Sequence, residues 1–346
     1  MSGTSHDGLD IACCRFEDLH GEWKYKIDSA GTIPYPDAWR SRLIDLIDAD
    51  DEAIKAADLE LGTYIGEAVN SFIASNNIKA TFIGSHGHTI FHQPNKGLTL
   101  QIGDGRQIAK LTGLTVISDF RSQDVAMGGQ GAPLVPLGDR LLFSHYDYCL
   151  NLGGISNISF ESRGERVAFD ICPVNMVLDH LASRLGKKYD DKGMMAARGS
   201  LMPAMLRELE ALGFYHSEGP KSLGREWVVS NIFPILEKYN LYPESDLLST
   251  FTEHIALRIS SCVNEGAGKN MLVTGGGAYN DHLIERMREL CATNIILPEP
   301  LLIEYKEAMV FAFLGLLRLR GKVNVLGSVT GAGKDHSSGR IISDEI

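Results

Sequence analysis

Hydrophobic and polar positions alternate along the first half of the chain in a way that predicts strands and helices in turn. Short runs of β-branched and aromatic residues, bounded by glycine or polar residues, are typical of strands. Apolar residues that recur every three or four positions are typical of helices. The predicted strands of this half are 9–16, 23–33, 81–84 and 114–118, and the predicted helices are 38–47 and 51–74.

The second half repeats this scheme. Its predicted strands are 148–152, 158–161, 167–169 and 271–273. One predicted helix begins near Asn175, a second begins near Asp281, and a third covers 308–317. The polar, glycine-rich residues after 327 predict a loop-like tail. Strands that alternate with helices favour an α/β architecture, with ligands at the carboxyl ends of strands. Two openings of a glycine-rich turn and a strand, roughly 150 residues apart, suggest a duplicated fold with two lobes facing a cleft.

The composition excludes several classes of protein. The 346 residues carry 33 Lys+Arg against 44 Asp+Glu, and a net charge of -11 argues against general nucleic-acid binding, which needs a basic surface. No apolar run is long enough for a membrane span, and the first residues lack the segments of a signal peptide. The six cysteines lack CxxC spacing and fit reduced thiols, so the sequence predicts a globular protein of the cytoplasm.

Three glycine-rich turns beside apolar strands are candidates for phosphate binding. They contain Gly3 and Gly8; Gly153 and Gly154; and Gly275, Gly276 and Gly277. Glycine lets the backbone approach an anion closely, and successive N–H groups can form a concave site for phosphate. Asp7 in the first turn could hold Mg²⁺ directly or through water. Each of these turns taken alone is as consistent with a simple tight turn as with a phosphate site. Three of them in one chain favour a nucleotide-binding protein.

Asp170 is the sharpest single candidate for catalysis. It follows an apolar strand and precedes Pro173, so its carboxylate is expected at the carboxyl end of that strand. A carboxylate there can deprotonate a hydroxyl or a water beside a transferring phosphate. The alternative is an Asp that caps a helix or closes a turn.

A histidine cluster offers a different chemistry. His86 and His88 are two residues apart, so on a strand they would share one face and could bind zinc together with His92. Against a zinc site, no clear set of Asp, Glu or Cys completes it, and histidines at strand ends often contact ligands or backbone. A metal-dependent hydrolase therefore stays an alternative.

Two further charged residues each allow a functional and a structural interpretation. Arg121, close to Asp119, could clamp a substrate carboxylate through its planar fork, or it could form an ordinary ion pair between lobes. Glu307 precedes the apolar helix 308–317 and is most simply an acid of the first turn, favoured by the helix dipole.

Seven motifs together resemble those of the anhydro-N-acetylmuramic acid kinase family. They are Met1-Ser2-Gly3-Thr4-Ser5-His6-Asp7-Gly8-Leu9-Asp10, Gly84-Ser85-His86-Gly87-His88-Thr89, Leu100-Gln101-Ile102-Gly103-Asp104-Gly105, Asp119-Phe120-Arg121, Gly128-Gly129-Gln130-Gly131-Ala132-Pro133-Leu134-Val135-Pro136, Asn151-Leu152-Gly153-Gly154-Ile155-Ser156-Asn157 and Gly275-Gly276-Gly277-Ala278-Tyr279-Asn280. They occur in the family's order and span nearly the whole chain. The set is therefore far more specific than any single loop.

The resemblance implies a two-lobed, actin/hexokinase-like (ribonuclease H-like) fold with a central cleft. On this basis we expect lobe I to comprise residues 1–118 plus about 325–346, and lobe II residues 119–324. The resemblance also implies ATP with Mg²⁺, a homodimer and a small amino-sugar substrate, with no nucleic acid or membrane as partner. The implied reaction opens the anhydro bridge of 1,6-anhydro-N-acetylmuramic acid with water and phosphorylates O6, giving N-acetylmuramate 6-phosphate in peptidoglycan recycling.

The resemblance also assigns site residues. Asp170 stands where the family has its general base, and the first glycine turn stands where the family has an ATP phosphate loop. We assign Arg121, His88 and Glu307 to the sugar on the strength of their positions. The residues expected to bind ATP are Gly3, Thr4, Ser5, His6, Asp7, Gly8, Leu9, Asp10, Gly153, Gly154, Ser156, Asn157, Gly275, Gly276 and Gly277, with Asp7 also expected at Mg²⁺.

The chain departs from the family's pattern in three places. Members usually carry a further strand before the first motif, and loss of that strand would cost ladder hydrogen bonds and buried area. Ile171-Cys172 stands where many members have Thr-Gly, and His88 stands where Gln is common. These departures keep a non-catalytic sugar- or nucleotide-binding relative as a further alternative.

Overall fold

Strands and helices alternate along the chain in this computed structural model, which describes residues 1–3, 8–217, 221–263 and 267–343. The strands are Gly8–Leu19 (β1), Glu22–Pro34 (β2), Phe82–Gly84 (β3), His88–Gln93 (β4), Leu98–Ile102 (β5), Thr115–Ser118 (β6), Tyr148–Leu152 (β7), Ile155–Ser162 (β8), Glu165–Pro173 (β9), Asn270–Thr274 (β10), Asn294–Ile296 (β11) and Arg340–Ile342 (β12). The α-helices are Asp37–Asp45 (α1), Asp51–Ser75 (α2), Gly105–Thr112 (α3), Ser122–Ala126 (α4), Val135–Leu142 (α5), Asn175–Arg184 (α6), Pro203–Glu210 (α7), Arg225–Asn231 (α8), Phe233–Lys238 (α9), Glu244–Val263 (α10), Asp281–Leu290 (α11), Pro300–Leu319 (α12) and Gly327–Thr330 (α13). None of these helices combines the length and apolarity that crossing a membrane requires.

The chain divides into two compact units. Unit 1 contains residues 1–142 and 305–346, and unit 2 contains residues 143–304. These limits differ from the expected lobes, because residues 119–142 and 305–324 group with unit 1 and not with the second lobe. The motif before α5 and most of α12 pack with the amino-terminal elements, and such long-range packing leaves no mark in the local sequence pattern.

Unit 2 is built on a five-stranded mixed sheet with the strand order β11-β10-β7-β8-β9. β7, β8 and β9 pair antiparallel in sequence, while β10 and β11 run parallel to β7. An antiparallel meander extended by two parallel crossover strands is the ribonuclease H-like order. The fold class implied by the resemblance is thus confirmed.

Helix α10 supplies much of the core of unit 2. Its buried residues follow helical spacing, and each is 0 % exposed: Leu247, Leu248, Phe251, Ile255 and Ile259. Burial of a side chain of this size contributes about 1.5–3 kcal/mol relative to exposure. This apolar core holds the sheet that carries Asp170.

Unit 1 joins a three-stranded sheet, β12-β6-β3, to the hairpins β1–β2 and β4–β5. Its long helix α2 begins at Asp51 because the side chain of Asp50 accepts a hydrogen bond from Ala53 N at 2.8 Å. Gly62 lets α2 approach α3 closely, since a Cβ at this position would lie 2.6 Å from Asp104 O. These contacts fix α3, which leads into β6 and Arg121.

A groove of about 1000 Å³ separates β1 from β3 in unit 1. Its walls are the edge of β1 opposite β2, β3, and the side chains of α2 and α12, among them Phe72 and Ala312. At the end of the groove, Asp10 N donates to Met1 O at 2.8 Å, and Ser2 bridges to Leu9. Within the described ranges, β2 is the one named strand that pairs with β1.

The described tail from Gly327 to residue 343 contains the predicted loop, over residues 331–339, and also a helix and a strand that the sequence pattern did not predict. α13 and β12 lie within it, and β12 pairs antiparallel with β6. Ser338 Oγ donates to Phe120 O at 2.8 Å, and Arg318 Nε donates to Gly339 O at 2.8 Å. Long-range hydrogen bonds hold a segment whose composition alone suggested a loop.

Candidate active site

Four polar residues lie side by side across the sheet of unit 2. Thr274 pairs with Asn151, Asn151 with Asn157, and Asn157 with Asp170. Residues directly opposite each other on neighbouring strands place their side chains on the same face, about 5 Å apart. A bulge beside Asn157 sets this register. The row brings the predicted Asn157 and Asp170 together and adds Asn151, which the sequence analysis left within its motif.

Asp170 lies within β9, three residues before its end, and not at the end of the strand as expected. It is half-buried, its N–H donates to Lys221 O at 2.9 Å, and its Oδ2 accepts from Leu223 N at 2.8 Å. Burial raises the pKa of the Asp170 carboxyl, and the hydrogen bond from Leu223 partly offsets this rise. A carboxylate with a raised pKa is a stronger base, so this setting suits proton abstraction.

The alternative interpretation of Asp170 as a helix cap is wrong. The residue before α6 is Val174, and no side chain caps that helix. The oriented oxygen of Asp170 contacts the 221–223 segment instead. The sequence pattern gave no sign of this partner, because the segment lies about 50 residues downstream.

The second and third glycine turns meet at one edge of unit 2. Gly275 has φ +83°, and a Cβ there would lie 2.6 Å from Asn151 Oδ1 and 2.8 Å from Leu152 O. A Cβ at Gly277 would lie 2.7 Å from Leu152 Cβ. Gly154 and Gly276 are exposed. Exposed backbone in glycine turns, next to the polar row, fits an approaching phosphate chain.

Asn175, the first residue of α6, connects these two turns. Its Nδ2 donates to Leu152 O at 3.2 Å, its backbone N–H donates to Gly153 O at 3.2 Å, and its Oδ1 lies 3.5 Å from the position of a Cβ on Gly277. The sequence pattern identified Asn175 as a helix start but gave no reason to place it in the site.

The hydroxyl of Ser156, which was expected to bind ATP, instead makes a hydrogen bond within the protein. Ser156 is buried, and its hydroxyl donates to Cys172 O at 2.9 Å. Cys172, one of the residues that departs from the family's pattern, is also fully buried. The pair ties β8 to β9 next to Asp170.

The first glycine turn is only partly described. Thr4, Ser5, His6 and Asp7 lie outside the described residues, so their expected roles toward ATP and Mg²⁺ stay predictions. Gly3 precedes them and is half-buried. Gly8 packs against β2, where a Cβ would lie 2.7 Å from Ile33 O, and Leu9 is buried. Asp10 Oδ1 accepts from Thr32 Oγ1 at 2.6 Å.

Arg121 is held in unit 1 by hydrogen bonds in which the donor and the acceptor can be assigned. Its Nε and Nη2 approach His86 Nε2 at 3.0 and 2.8 Å, and its Nη1 donates to Gly131 O at 2.6 Å. Because a guanidinium only donates, His86 Nε2 must accept and its Nδ1 must carry the proton, which points to Gly87 O at 3.1 Å. Burial, with the nearby Arg121 charge, holds the pKa of His86 well below its ordinary value.

Glu307 lies near this network on α12, on the same helix face as Phe311 four residues later. The Arg121 guanidinium lies 5.9 Å from the Phe311 ring centroid. Burial lowers the pKa of Arg121 to about 10, and the nearby charge of Glu307 partly offsets this lowering. Arg121 therefore stays charged at pH 7. Since α12 begins at Pro300, Glu307 lies in its second turn, and the interpretation as a first-turn acid is wrong.

The three histidines do not assemble into a metal site. His86 lies in the turn between β3 and β4 and not on a strand, and its ring contacts Arg121. His88 is 1 % exposed and hydrogen bonded to Ser2 Oγ at 2.9 Å, while His92 approaches Thr99 Oγ1 at 3.3 Å. The part of the chain that the structure describes holds no group of three His, Cys, Asp or Glu positioned for a metal ion.

Arg121 and Asp119 are not an ion pair with each other. Asp119 pairs with Arg340 at 3.0 Å and accepts from Ser122 N, whereas Arg121 turns to His86 and Gly131. Arg121 therefore makes its side-chain hydrogen bonds to neutral acceptors, while the carboxylates of Glu307 and Asp124 act on it through their charge.

Comparison with known proteins decides the family. The family model described as "Anhydro-N-acetylmuramic acid kinase" matches residues 1–344. The chain belongs to this family. Three anhydro-N-acetylmuramic acid kinases illustrate the similarity. That of Acinetobacter baylyi is 35% identical over 99% of this chain and 98% of its own, that of Coxiella burnetii (strain Dugway 5J108-111) is 36% identical over 99% and 95%, and that of Pseudomonas syringae pv. tomato is 37% identical over 96% and 94%. Membership of the anhydro-N-acetylmuramic acid kinase family confirms the resemblance carried by the seven motifs.

Proposed function

We propose that the chain is an ATP-dependent kinase of 1,6-anhydro-N-acetylmuramic acid. It would open the anhydro bridge with water, phosphorylate O6 and release N-acetylmuramate 6-phosphate for peptidoglycan recycling. Membership of the family over nearly the whole chain supports the substrate and reaction class. The observation that carries the mechanism is the polar row in unit 2, which seats Asp170 beside Asn157 and next to two glycine turns. A cytoplasmic location and a homodimer stay predictions.

In this mechanism Asp170 is the general base. Hydrolysis of an acetal usually takes two carboxyl groups, one to protonate the leaving oxygen and one to act at the anomeric carbon. Here the leaving O6 would be captured by the γ-phosphoryl group, so one carboxylate suffices to deprotonate the water that attacks C1. The N–H of Leu223 holds Oδ2 of Asp170, which leaves Oδ1 to take the proton.

The glycine turns of unit 2 are the proposed seat of the nucleotide. Gly153, Gly154, Gly275, Gly276 and Gly277 bring backbone close to the polar row, and a side chain at Gly275 or Gly277 would collide with Leu152 of β7. Asn175 keeps the two turns together, and Asn157 offers its amide. Mg²⁺, when bound, neutralises charge that gathers on the phosphates. Asp7 stays the proposed Mg²⁺ residue from sequence alone.

In unit 1 we propose that Arg121 binds the carboxylate of the sugar. Its charge is fixed in direction by His86 and Gly131, and a preset guanidinium pairs well with a carboxylate. Glu307 is exposed on the face of α12 near Arg121, so it could accept hydroxyl donors of the sugar. His88 is buried and hydrogen bonded to Ser2, so we propose that it supports the residues that contact the sugar and does not contact the sugar itself.

Replacement of the base tests this function. Asp170→Asn keeps the shape and the contact with Leu223 but cannot take a proton, so we expect loss of product by at least a thousandfold with the Kd for ATP changed less than threefold. The matched control is Glu165→Gln, which neutralises an exposed carboxylate at the other end of the same strand and should leave the rate unchanged. Product formation by Asp170→Asn at the wild-type rate would refute the assignment. ATP binding without turnover in the wild-type protein would favour a non-catalytic relative.

A further inference from the structure

A second cavity lies in unit 2, on the opposite side of the strand that carries Asp170. It has a volume of about 250 Å³ and is lined by β9 residues Val167 and Phe169, by Lys221, and by α10 residues including Arg258 and Ser261. Side chains alternate between the two faces of a strand, so Val167 and Phe169 point away from the face of Asp170. The cavity is therefore separate from the polar row and the glycine turns.

The lining of this cavity is cationic. Among the described residues of the lining, Lys221 and Arg258 are the charged ones. Arg258 forms an ion pair with Glu210, which lies outside the lining. Lys221 Nζ donates to two carbonyl oxygens, Phe214 O at 2.8 Å and Ser217 O at 3.3 Å. Carbonyls do not cancel a charge, so Lys221 brings a positive charge to the described part of the lining.

One donor atom of a lining residue has no acceptor in the described part of the chain. Arg258 Nε is buried and has no hydrogen-bond partner among the described residues. A buried donor without a partner is costly, and an acceptor that reached it would gain a charge-assisted hydrogen bond. The lining also has apolar side chains from β9, those of Val167, Phe169 and Ile171. This combination fits a small anion with an apolar body.

The cavity is linked directly to the proposed base. Lys221, which lines it, accepts a hydrogen bond from Asp170 N at 2.9 Å through its backbone carbonyl. Two residues later, Leu223 N donates to Asp170 Oδ2 at 2.8 Å. Phe169 precedes Asp170 on the strand. A ligand that moved Lys221 or Phe169 would therefore change the orientation of the Asp170 carboxylate.

We propose that this cavity binds a small organic carboxylate with an apolar body, and that its occupation lowers the activity of Asp170. The anion is held by Lys221 and Arg258, and its apolar part packs on Val167 and Phe169. The regulatory half of this inference rests on the proposed function, whereas the binding half does not.

Binding is tested directly with benzoate as the probe and benzyl alcohol as its uncharged counterpart, by calorimetry on the full chain without ATP. We expect benzoate to bind at least tenfold more tightly than benzyl alcohol. Lys221→Met should lower the affinity for benzoate at least tenfold because it removes the cation. Ser261→Leu should lower the affinity to the same extent because the larger side chain fills the cavity. Lys187→Met removes an exposed lysine of the same unit and should change nothing. Thermal unfolding of each variant verifies that it is folded.

The outcomes separate the two halves. The site is overturned if benzoate does not bind to the wild-type protein. It is also overturned if Lys221→Met and Ser261→Leu bind benzoate as tightly as the wild-type protein does. If benzoate binds as expected, it should lower kcat at least twofold without a change in the KM for ATP. Unchanged kcat, or competition with ATP, overturns the regulation. A protein that binds benzoate but lacks kinase activity contradicts the proposed function and leaves the binding site supported.

Discussion

Gly275 offers a sharp test of how the third glycine turn is built. Its φ of +83° lies in the left-handed region, and a Cβ would lie 2.6 Å from Asn151 Oδ1, 2.8 Å from Leu152 O and 2.9 Å from Leu152 C. Gly164, in the turn between β8 and β9, has the same φ of +83° and no atom within 4 Å of its Cβ position. Alanine at the two positions therefore differs by the steric overlap alone.

The magnitudes follow from these two geometries. The left-handed conformation costs alanine about 1–2 kcal/mol at either position. Overlap with backbone adds about 1–3 kcal/mol, because Leu152 belongs to the central strand β7 and cannot move away cheaply. We expect Gly164→Ala to lower the free energy of unfolding by about 1 kcal/mol and Gly275→Ala by about 3 kcal/mol.

The assay combines stability with binding. Urea unfolding followed by tryptophan fluorescence gives the two free energies, since Trp227 reports on unit 2. Calorimetry with ATP should show at least a tenfold loss of affinity for Gly275→Ala and less than a twofold change for Gly164→Ala. Equal destabilisation by the two variants, or unchanged ATP affinity in a folded Gly275→Ala protein, would refute this account of the turn.

Two predictions concern unit 1. Arg121→Lys keeps the charge but loses the fork that meets His86 and Gly131, so the KM for the sugar should rise about tenfold with the KM for ATP nearly unchanged; equal changes in both would contradict the assignment. His86 has a pKa well below 6.5 in the folded protein, so the unfolded chain takes up its proton first as pH falls below about 6.5, and stability is lost by up to about 1.4 kcal/mol per pH unit. His86→Gln should remove one proton's share of this slope in urea titrations from pH 7.5 to 5, and an unchanged slope would contradict a neutral His86.

Periodic patterns in the sequence predicted the elements well where local signals decide them. The helix from Asp51 follows from the capping side chain of Asp50 and the apolar stripe after it. The apolar stretch 308–317 predicts a helix, but α12 is longer because it begins at Pro300, a residue suited to the first helical position, and its first two turns carry charged residues that the apolar stretch does not include. Local chemistry therefore predicted the elements better than their limits.

The site was harder to predict because it depends on register. Asn151, Asn157 and Asp170 meet only if β7, β8 and β9 pair with a bulge beside Asn157. A slip of one residue would turn Asp170 to the other face. The hydrogen bond from Leu223 and the connection made by Asn175 arise from distant parts of the chain, so no local pattern carries them.

The origin of the oxygen at C1 tests the central claim most directly. The protein is incubated with ATP, Mg²⁺ and 1,6-anhydro-N-acetylmuramic acid in ¹⁸O-labelled water, and the product is analysed by mass spectrometry and NMR. If Asp170 activates water at C1 while O6 receives the phosphoryl group, the label appears at C1 and the phosphate at O6. Label in the phosphate, or an unlabelled C1, would contradict the mechanism.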